Sequence, residues 1–348
     1  MVPDPETGVL LRWLRVIDEL PEAVLAPTVA QPARRGRPPV YASRLFYKAL
    51  VVLVVRRLRS VHALVALLAE PEMAEVRACL CGAQGTCPSR RTWERRLARL
   101  SAQLPEVIAQ LGQELIARLH LWEDDGRAVA IDSTPLHARG KVWHQSQRRA
   151  GIRDDTRIDP DAHWTHSGWH GWVYGYKLHV VISVCPQVGV WLPLAAELTP
   201  ANVADSAQAP ALLDTLQRAG SAEPAPAALA SAGGYVLADS GYAYADVRTA
   251  CGRDGFVLVA SHRGGPRPSD EGTPVRRIFH ALRALAIESW NGQFKQIFDL
   301  SAQVPTRGRR ATQRLVLGAV FVYQVALLDR FLLGRSLRLG LQAAIQAA

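Results

Sequence analysis

Two apolar segments of the chain end in the same unusual way, and they constrain its fold more than any other feature. Residues 127–134 read RAVAIDST and residues 235–242 read YVLADSGY, so an aspartate, Asp132 or Asp239, follows a predicted buried strand in each. An ionised carboxylate at the edge of a core is costly unless it is paired or binds a metal. We therefore expect the two strands to lie side by side, with both aspartates at the edge of the sheet where ligands of α/β proteins bind.

The segments around these strands complete an α/β fold. Two further strands, 174–184 and 189–198, predict a hairpin, a last short strand is predicted at 255–260, and helices are predicted at 204–219, 243–252, 277–299 and 309–333. This order predicts a mixed five-stranded sheet flanked by helices, with its first three strands as antiparallel neighbours. Asn202 or Asp205 is expected to cap the first of these helices. The His- and Trp-rich segment 137–172 is predicted to be a loop.

Residues 1–125 predict helices alone, with Ser60 and Ser89 as N-caps and with two separate helices over residues 89–100 and 104–122. The segment that begins at Ser89 is rich in arginine, which is typical of the last helix of a helix-turn-helix DNA reader. The alternative is an ordinary solvated helix face. The arginines predicted to contact DNA there are Arg90, Arg91, Arg95, Arg96 and Arg99. We divide the chain into a helical, helix-turn-helix-like region with DNA binding as its expected role (1–125), an α/β domain (126–335) and a C-terminal tail (336–348).

The charge of the chain also points to nucleic acid. It has 41 basic and 31 acidic residues and a formal net charge of +10, although a merely basic surface would give the same balance. Arg35 and Arg37, in RRGRPP, form a candidate minor-groove arm or a plain linker. Trp143 and Trp164 lie among basic residues in the predicted loop, where aromatic rings are expected to stack on unpaired bases.

The cysteines and the apolar runs exclude other classes of protein. Five cysteines are too few for a disulfide framework. Cys79, Cys81 and Cys87 suggest zinc, but without a paired C-x-x-C motif the better interpretation is reduced thiols in a cytoplasm. The longest apolar runs, 49–55 and 315–328, are too short to span a membrane and are predicted to be buried helices.

A third carboxylate is predicted on the helix that carries IESWNGQFK. Glu288 and Lys295 lie seven residues apart, about two turns, and so share one face with Asn291 between them. Taken alone, Glu288 would be an ordinary solvent-facing residue. Beside Asp132 and Asp239 it completes an oxygen-rich site of the kind that magnesium prefers, because two adjacent carboxylates repel each other unless a divalent cation neutralises them. The ammonium of Lys295 suits a phosphate.

With these residues in place, the chain resembles bacterial insertion-sequence transposases of the DDE class, whose catalytic domain is ribonuclease H-like. The resemblance covers nearly the whole chain. It is carried by AIDST, YGYKLHVV, LTPANVADS, VLADSGY and IESWNGQFK, in this order, and by GRPPVY and TWERRLARL in the helical front part. It implies that Asp132, Asp239 and Glu288 are the catalytic, metal-binding triad and that Lys295 is the basic residue following the Glu.

The chain departs from this family at one place. Many relatives have a Tyr seven residues and an Arg four residues before the catalytic Glu, whereas here those positions are Ala281 and Ala284, and His280 and Arg283 lie one residue earlier. A shift of one residue rotates a side chain by about 100° around an α-helix. Arg283 is still expected to reach a DNA phosphate by its length. Lys177, in the predicted second strand, is a candidate for phosphate contact or a surface residue.

The resemblance implies two-metal phosphoryl transfer on DNA. Two Mg²⁺ ions, with Mn²⁺ as a substitute, are expected, Asp132 bridging both while Asp239 and Glu288 bind one each. The expected partners are double-stranded DNA, as terminal inverted repeats and as target, and a second copy of the chain in a synaptic homodimer. The expected location is the bacterial cytoplasm, at the nucleoid and without a membrane. The alternatives are a catalytically decayed DNA-binding protein and a stand-alone ribonuclease H-type nuclease.

Overall fold

The computed structural model describes residues 5–25, 40–82, 85–122, 127–153, 155–168, 171–220, 233–253, 255–260, 273–337 and 340–348. The chain forms two compact units, one of residues 1–107 with 313–348 and one of residues 108–312. The functional boundaries predicted above, at 125 and 335, remain a prediction, because compactness alone assigns no function to a unit.

The helices in the described ranges are α1 (Pro5–Glu19), α2 (Glu22–Leu25), α3 (Ser43–Val55), α4 (Val61–Ala69), α5 (Ala74–Cys79), α6 (Arg90–Leu119), α7 (Gln145–Arg149), α8 (Asp205–Gly220), α9 (Ala245–Arg253), α10 (Thr273–Arg283), α11 (Ser289–Ile297), α12 (Arg309–Leu332) and α13 (Leu341–Gln346). The strands are β1 (Arg127–His137), β2 (His163–Ser167), β3 (Gly171–Ser183), β4 (Pro193–Pro200), β5 (Gly234–Ala238) and β6 (Phe256–Ala260). Short 3₁₀ turns occupy Pro71–Met73 and Ser240–Tyr242, and a π-helical turn occupies Ala284–Glu288.

The first unit is helical, as predicted, and its core surrounds α12. Tyr47 of α3 packs on Phe321 of α12 with ring centroids 5.6 Å apart. A buried carboxylate, that of Asp329, accepts hydrogen bonds from the Arg12 guanidinium (2.6 Å) and the Trp13 indole (3.0 Å). This pairing offsets much of the cost of burying the charge. Helix α12 is long and apolar enough to cross a membrane, but 83% of its apolar window is buried inside the structure, as in a core helix.

Helix α6 corrects one element boundary. The sequence predicted two helices here, broken before Pro105, but a single helix of 30 residues runs through the proline. Proline removes one backbone hydrogen bond and disfavours a helix interior. Leu97, Leu100 and Leu104 are buried on one side of this helix, so the packing of its apolar stripe outweighs that local cost.

The predicted caps are confirmed, since Ser60 Oγ accepts from the Ala63 amide and Ser89 Oγ from the Thr92 amide.

The second unit is built on the predicted mixed sheet. Its strand order is β4-β3-β1-β5-β6, in which β1 pairs antiparallel with β3 and parallel with β5, while β3 and β4 are antiparallel. The first three predicted strands are therefore antiparallel neighbours, and the strand carrying Asp239 lies beside the strand carrying Asp132. The α/β fold with a helical front part is confirmed.

The sheet has one strand more than predicted, because segment 137–172 is not the loop that its composition suggested. It contains helix α7 and strand β2, and β2 pairs with residues 171–175 at the start of β3, which is longer than expected. Strand β2 reads HWTHS, and Thr and Trp favour extended, half-buried positions. Trp169 and His170 of this segment lie outside the described residues.

Candidate active site

The two aspartates lie at the same level of two adjacent parallel strands, Asp132 inside β1 and Asp239 directly after β5. In the register of β1 and β5, Ala130 lies opposite Leu237. Asp132 and Asp239 each come two residues later in the chain, and side chains two residues apart in extended backbone lie on the same face of the sheet. The two strands are adjacent, as the sequence predicted, but only Asp239 follows the end of its strand, because β1 continues past Asp132 to His137 through its pairing with β3.

A tight turn fixes the carboxylate of Asp239. The chain enters the 3₁₀ turn Ser240–Tyr242, and Asp239 Oδ1 accepts a hydrogen bond of 2.7 Å from the Gly241 amide. A Cβ at position 241 would lie 2.9 Å from this oxygen, closer than real contacts allow. The glycine in ADSGY therefore allows the carboxylate to fold back onto its own turn.

Asp132 is the most perturbed carboxyl of the site. Its pKa is raised to about 7, first by burial and then by the negative charges of Asp239 and Asp205. The Ser133 amide, at 2.8 Å from Oδ1, and the Arg283 guanidinium act in the opposite direction. Burial together with a like charge nearby disfavours the ionised form of a carboxyl, and functional sites are often perturbed in this way.

Arg283 joins the third acid to this pair. Its Nη1 lies 3.4 Å from Asp132 Oδ2 and its Nη2 lies 3.7 Å from Glu288 Oε1. The side chain of Arg283 is 16% exposed, whereas that of Glu288 is 67% exposed. Asp132 and Glu288 thus contact the same guanidinium through its two different terminal nitrogens.

The contact between Arg283 and Glu288 depends on the π-helical turn Ala284–Glu288. These two residues are five apart, a spacing that a π-helix places in line, since its hydrogen bonds join residues i and i+5. In an α-helix, five residues would separate their directions by about 140°. Arg283 lies five residues before Glu288, one more than in many relatives, and the π-helical turn compensates for this difference. It places Arg283 on the same side of the helix as Glu288.

Asp205 organises a network that the sequence did not predict. It is the first residue of α8, and its carboxylate accepts hydrogen bonds from Ser133 Oγ (2.8 Å) and Lys177 Nζ (3.0 Å). His179 is fully buried, with Nδ1 3.7 Å from the same oxygen, and burial lowers its pKa to about 4. The sequence analysis considered Asp205 only as a candidate cap of this helix, and its spacing from Ser133 and Lys177 gave no signal for the network.

A second residue that the sequence analysis did not identify is Tyr242. Its side chain is 1% exposed. The pKa of its hydroxyl is raised, first by burial and then by the negative charges of Asp132, Asp205 and Asp239, with Arg283 acting against them. The hydroxyl therefore lies in the field of the acidic cluster. Its signal in the sequence was its position, three residues after Asp239 in ADSGY.

Lys295 follows Glu288 on the continuing helix α11. It is half-buried, and burial lowers the pKa of its ammonium. The lowered pKa of His137, at the end of β1, results from burial and also from the charge of Lys295. The ammonium is therefore close to the end of the strand that carries Asp132.

The other residues predicted to contact DNA are placed as follows. Arg91, Arg95 and Arg99 are exposed on α6, whereas Arg90 pairs with Glu94 (2.8 Å) and Arg96 lies over the Phe46 ring. Lys177 is 14% exposed and is held by Asp205. Arg35 and Arg37 lie outside the described residues. A role for any of these residues in DNA contact stays a prediction.

The two predicted stacking tryptophans belong to the β2–β3 extension. The Trp164 indole donates to the Trp143 carbonyl (2.7 Å), and the Trp143 indole donates to the Ile152 carbonyl (2.7 Å). Both rings are half-buried, and Arg148 lies 5.0 Å from the ring centre of Trp143. The exposed aromatic ring of this extension is Trp172, at 63%.

The carboxylate oxygens of this site suit magnesium better than a metal ion whose ligands all come from protein side chains. Within the described ranges, no group of three or more His, Cys, Asp and Glu side chains is arranged to hold a metal ion. Magnesium keeps several waters and binds through one or two carboxylates together with substrate phosphates. The coupled pair of Asp132 and Asp239 meets that smaller requirement, and Glu288 is joined to it through Arg283. Cys79, Cys81 and Cys87 are free thiols.

Comparison with known proteins decides the family. A family model described as the transposase DDE domain matches residues 123–324, more than half of the chain. The chain belongs to this transposase family. The matched range contains Asp132, Asp239 and Glu288 and all six strands of the described residues. A comparison with curated proteins finds no match.

Two solved transposase structures are similar to this chain at low sequence identity. The piggyBac transposase synaptic complex with hairpin DNA has a TM-score of 0.39 and 9% identity, and the match covers 99% of this chain and 80% of that one. The Mos1 mariner paired end complex with Mn has a TM-score of 0.24 and 14% identity, with 89% and 82% covered.

Proposed function

We propose that this DDE transposase binds the terminal inverted repeats of its insertion sequence and catalyses divalent-metal-dependent strand cleavage and strand transfer. The observation that carries the proposal is the register of β1 and β5. It gives Asp132 and Asp239 equivalent positions on neighbouring strands, and Arg283 links Asp132 to Glu288. Three acids from distant parts of the sequence are thus connected, Asp132 and Asp239 by the strand register and Glu288 through Arg283.

Asp132, Asp239 and Glu288 would hold the ions, two Mg²⁺ with Mn²⁺ as a substitute. When bound, such a pair of ions supplies an activated hydroxyl nucleophile and stabilises the leaving oxygen of an in-line displacement. The raised pKa of Asp132 fits this duty, because a cation would neutralise the repulsion that contributes to it.

Arg283 and Lys295 are the residues of this site proposed to position DNA. The guanidinium of Arg283 partly neutralises two carboxylates and can exchange them for a phosphate, to which it binds in a bidentate manner. The ammonium of Lys295 is partly desolvated, so its attraction to a phosphate oxygen is stronger than that of an exposed lysine. Together these residues would orient the scissile phosphate against the carboxylates.

The recognition of DNA ends is proposed for the helical region, where Arg91, Arg95 and Arg99 are exposed basic residues of α6. The net charge of +10 favours association with a polyanion. Since two element ends must be joined, the active form is proposed to be a homodimer that acts on cytoplasmic DNA at the nucleoid.

The test uses a supercoiled plasmid that carries cloned element ends, incubated with the protein and Mg²⁺. Wild type is expected to nick and then release the element, and EDTA or Asp239→Ala is expected to abolish both products. Asp246→Asn, an exposed aspartate of α9, is the matched control and should cleave normally. Cleavage by Asp239→Ala at the wild-type rate would refute the proposal. Binding without cleavage by wild type would favour the decayed DNA-binding protein.

A further inference from the structure

The hydroxyl of Tyr242 is an unused donor beside the acidic cluster. Its oxygen is buried, and it makes no hydrogen bond within the described part of the chain. Buried tyrosine hydroxyls usually have a partner, and leaving one without is costly. The charged groups that act on this hydroxyl are the carboxylates of Asp132, Asp205 and Asp239 and the guanidinium of Arg283.

The backbone of Tyr242 is fixed independently of any ligand. Tyr242 closes the 3₁₀ turn that Asp239 begins, and its amide donates to the Asp239 carbonyl (3.2 Å). The carboxylates around it are engaged elsewhere. Asp239 Oδ1 accepts from the Gly241 amide, and Asp205 Oδ1 accepts from Ser133 and Lys177. The donor of Tyr242 is therefore free while the nearby carboxylates are hydrogen-bonded to other groups.

We propose that Tyr242 is a positioning residue, whose hydroxyl donates a hydrogen bond to a carboxylate oxygen of the Asp132–Asp239 pair when a divalent cation is bound. The inference rests on the proposed function of that pair as metal ligands. A cation that draws the carboxylates from their present partners would change which oxygens face the hydroxyl. A neutral phenol can then hold a carboxylate by a hydrogen bond without competing with the cation. A guanidinium, which is itself a cation, would compete for the same carboxylate.

Loss of an outer hydrogen-bond partner of a metal ligand commonly weakens metal binding 10- to 100-fold. Tyr242→Phe removes only the hydroxyl and keeps the buried ring. We expect Mn²⁺ affinity, measured by electron paramagnetic resonance of free Mn²⁺ with the full-length protein, to fall about 10-fold or more. The Mg²⁺ concentration for half-maximal cleavage should rise by a similar factor, with the rate recovering at saturating Mg²⁺.

The stability of the metal-free protein separates positioning from a structural role. Because the hydroxyl has no partner in the described part of the metal-free chain, Tyr242→Phe should unfold in EDTA at the wild-type urea midpoint or above it. Tyr244→Phe, two residues on and 45% exposed, is the control and should match wild type in Mn²⁺ affinity.

Unchanged Mn²⁺ affinity in Tyr242→Phe would overturn the inference, and so would a lower urea midpoint in EDTA without a change in affinity. Failure of the proposed function is distinguishable from both. Wild-type protein that binds Mn²⁺ but does not cut its element ends would contradict transposition, while the difference in affinity between wild type and Tyr242→Phe would still support the role of Tyr242.

Discussion

Substituting Asp132 by Asn should stabilise the metal-free protein, and only at a pH where the carboxyl is ionised. The pKa of Asp132 is about 7 in the folded chain, against 3.8 for an ordinary aspartate. Each unit of this difference corresponds to 1.36 kcal/mol, so a carboxyl raised by about three units would destabilise the fold by about 4 kcal/mol when ionised. Because 21% of the side chain meets solvent, which screens the charge, we expect a gain of about 2–4 kcal/mol from the substitution.

The sign follows from proton binding. A carboxyl whose pKa is raised on folding holds its proton more tightly in the folded state, so stability falls as pH rises from about 4 to about 7 and is then constant. The amide introduced by Asp132→Asn cannot ionise, and its oxygen can keep the bond from the Ser133 amide. In EDTA, urea unfolding should therefore show equal stability of wild type and Asp132→Asn at pH 4 and a more stable variant at pH 8.

The matched control is Asp246→Asn, which changes an exposed aspartate and should show no pH-dependent gap. A gap of the same size at pH 4 and pH 8 would mean that the amide acts through packing rather than charge. A variant less stable than wild type at pH 8 would mean that Arg283 stabilises the ionised carboxylate more than burial and Asp239 destabilise it. Either result would refute the electrostatic account of this site.

Three further predictions concern the geometry around the acids. Gly241→Ala should lower cleavage more than about 10-fold with little loss of stability, as judged by urea unfolding, because the new Cβ would meet Asp239 Oδ1. Leu285 is the exposed apolar residue of the π-helical turn, and its deletion should leave Arg283 four residues before Glu288 in a regular α-helix. Cleavage should persist in this variant, whereas an added alanine at the same place should abolish it. Lys295→Met should weaken cleavage at limiting DNA about 10-fold while the urea midpoint stays equal or rises, since a partly buried charge is removed.

The placement of Asp132 and Asp239 could be predicted from the sequence because strand pairing is a property of long apolar runs. Two such runs with aspartates at equivalent positions leave few arrangements for a mixed sheet. Strand β2 could not be predicted in the same way, since HWTHS has no apolar alternation and becomes a strand only by pairing with the extended start of β3. The same limit applies to Pro105, whose local preference is overridden by packing along α6.

Arg283 shows why the finer geometry of the site lay beyond the sequence. Counting along an α-helix turns Arg283 away from Glu288, and the sequence contains no signal for a π-helical turn. The π-helical turn buries Ala286 and Ile287 in the core and leaves Glu288 exposed. The packing of these two apolar residues, rather than the contact between Arg283 and Glu288, is therefore a reason for the helix to contain one residue more in this turn. The additional residue is accommodated within the five positions of the turn, and the helices before and after it keep the same residues directed toward the core. In this transposase the position of the guanidinium between Asp132 and Glu288 therefore depends on the packing of Ala286 and Ile287, and changes to these two residues should move Arg283 relative to Asp132.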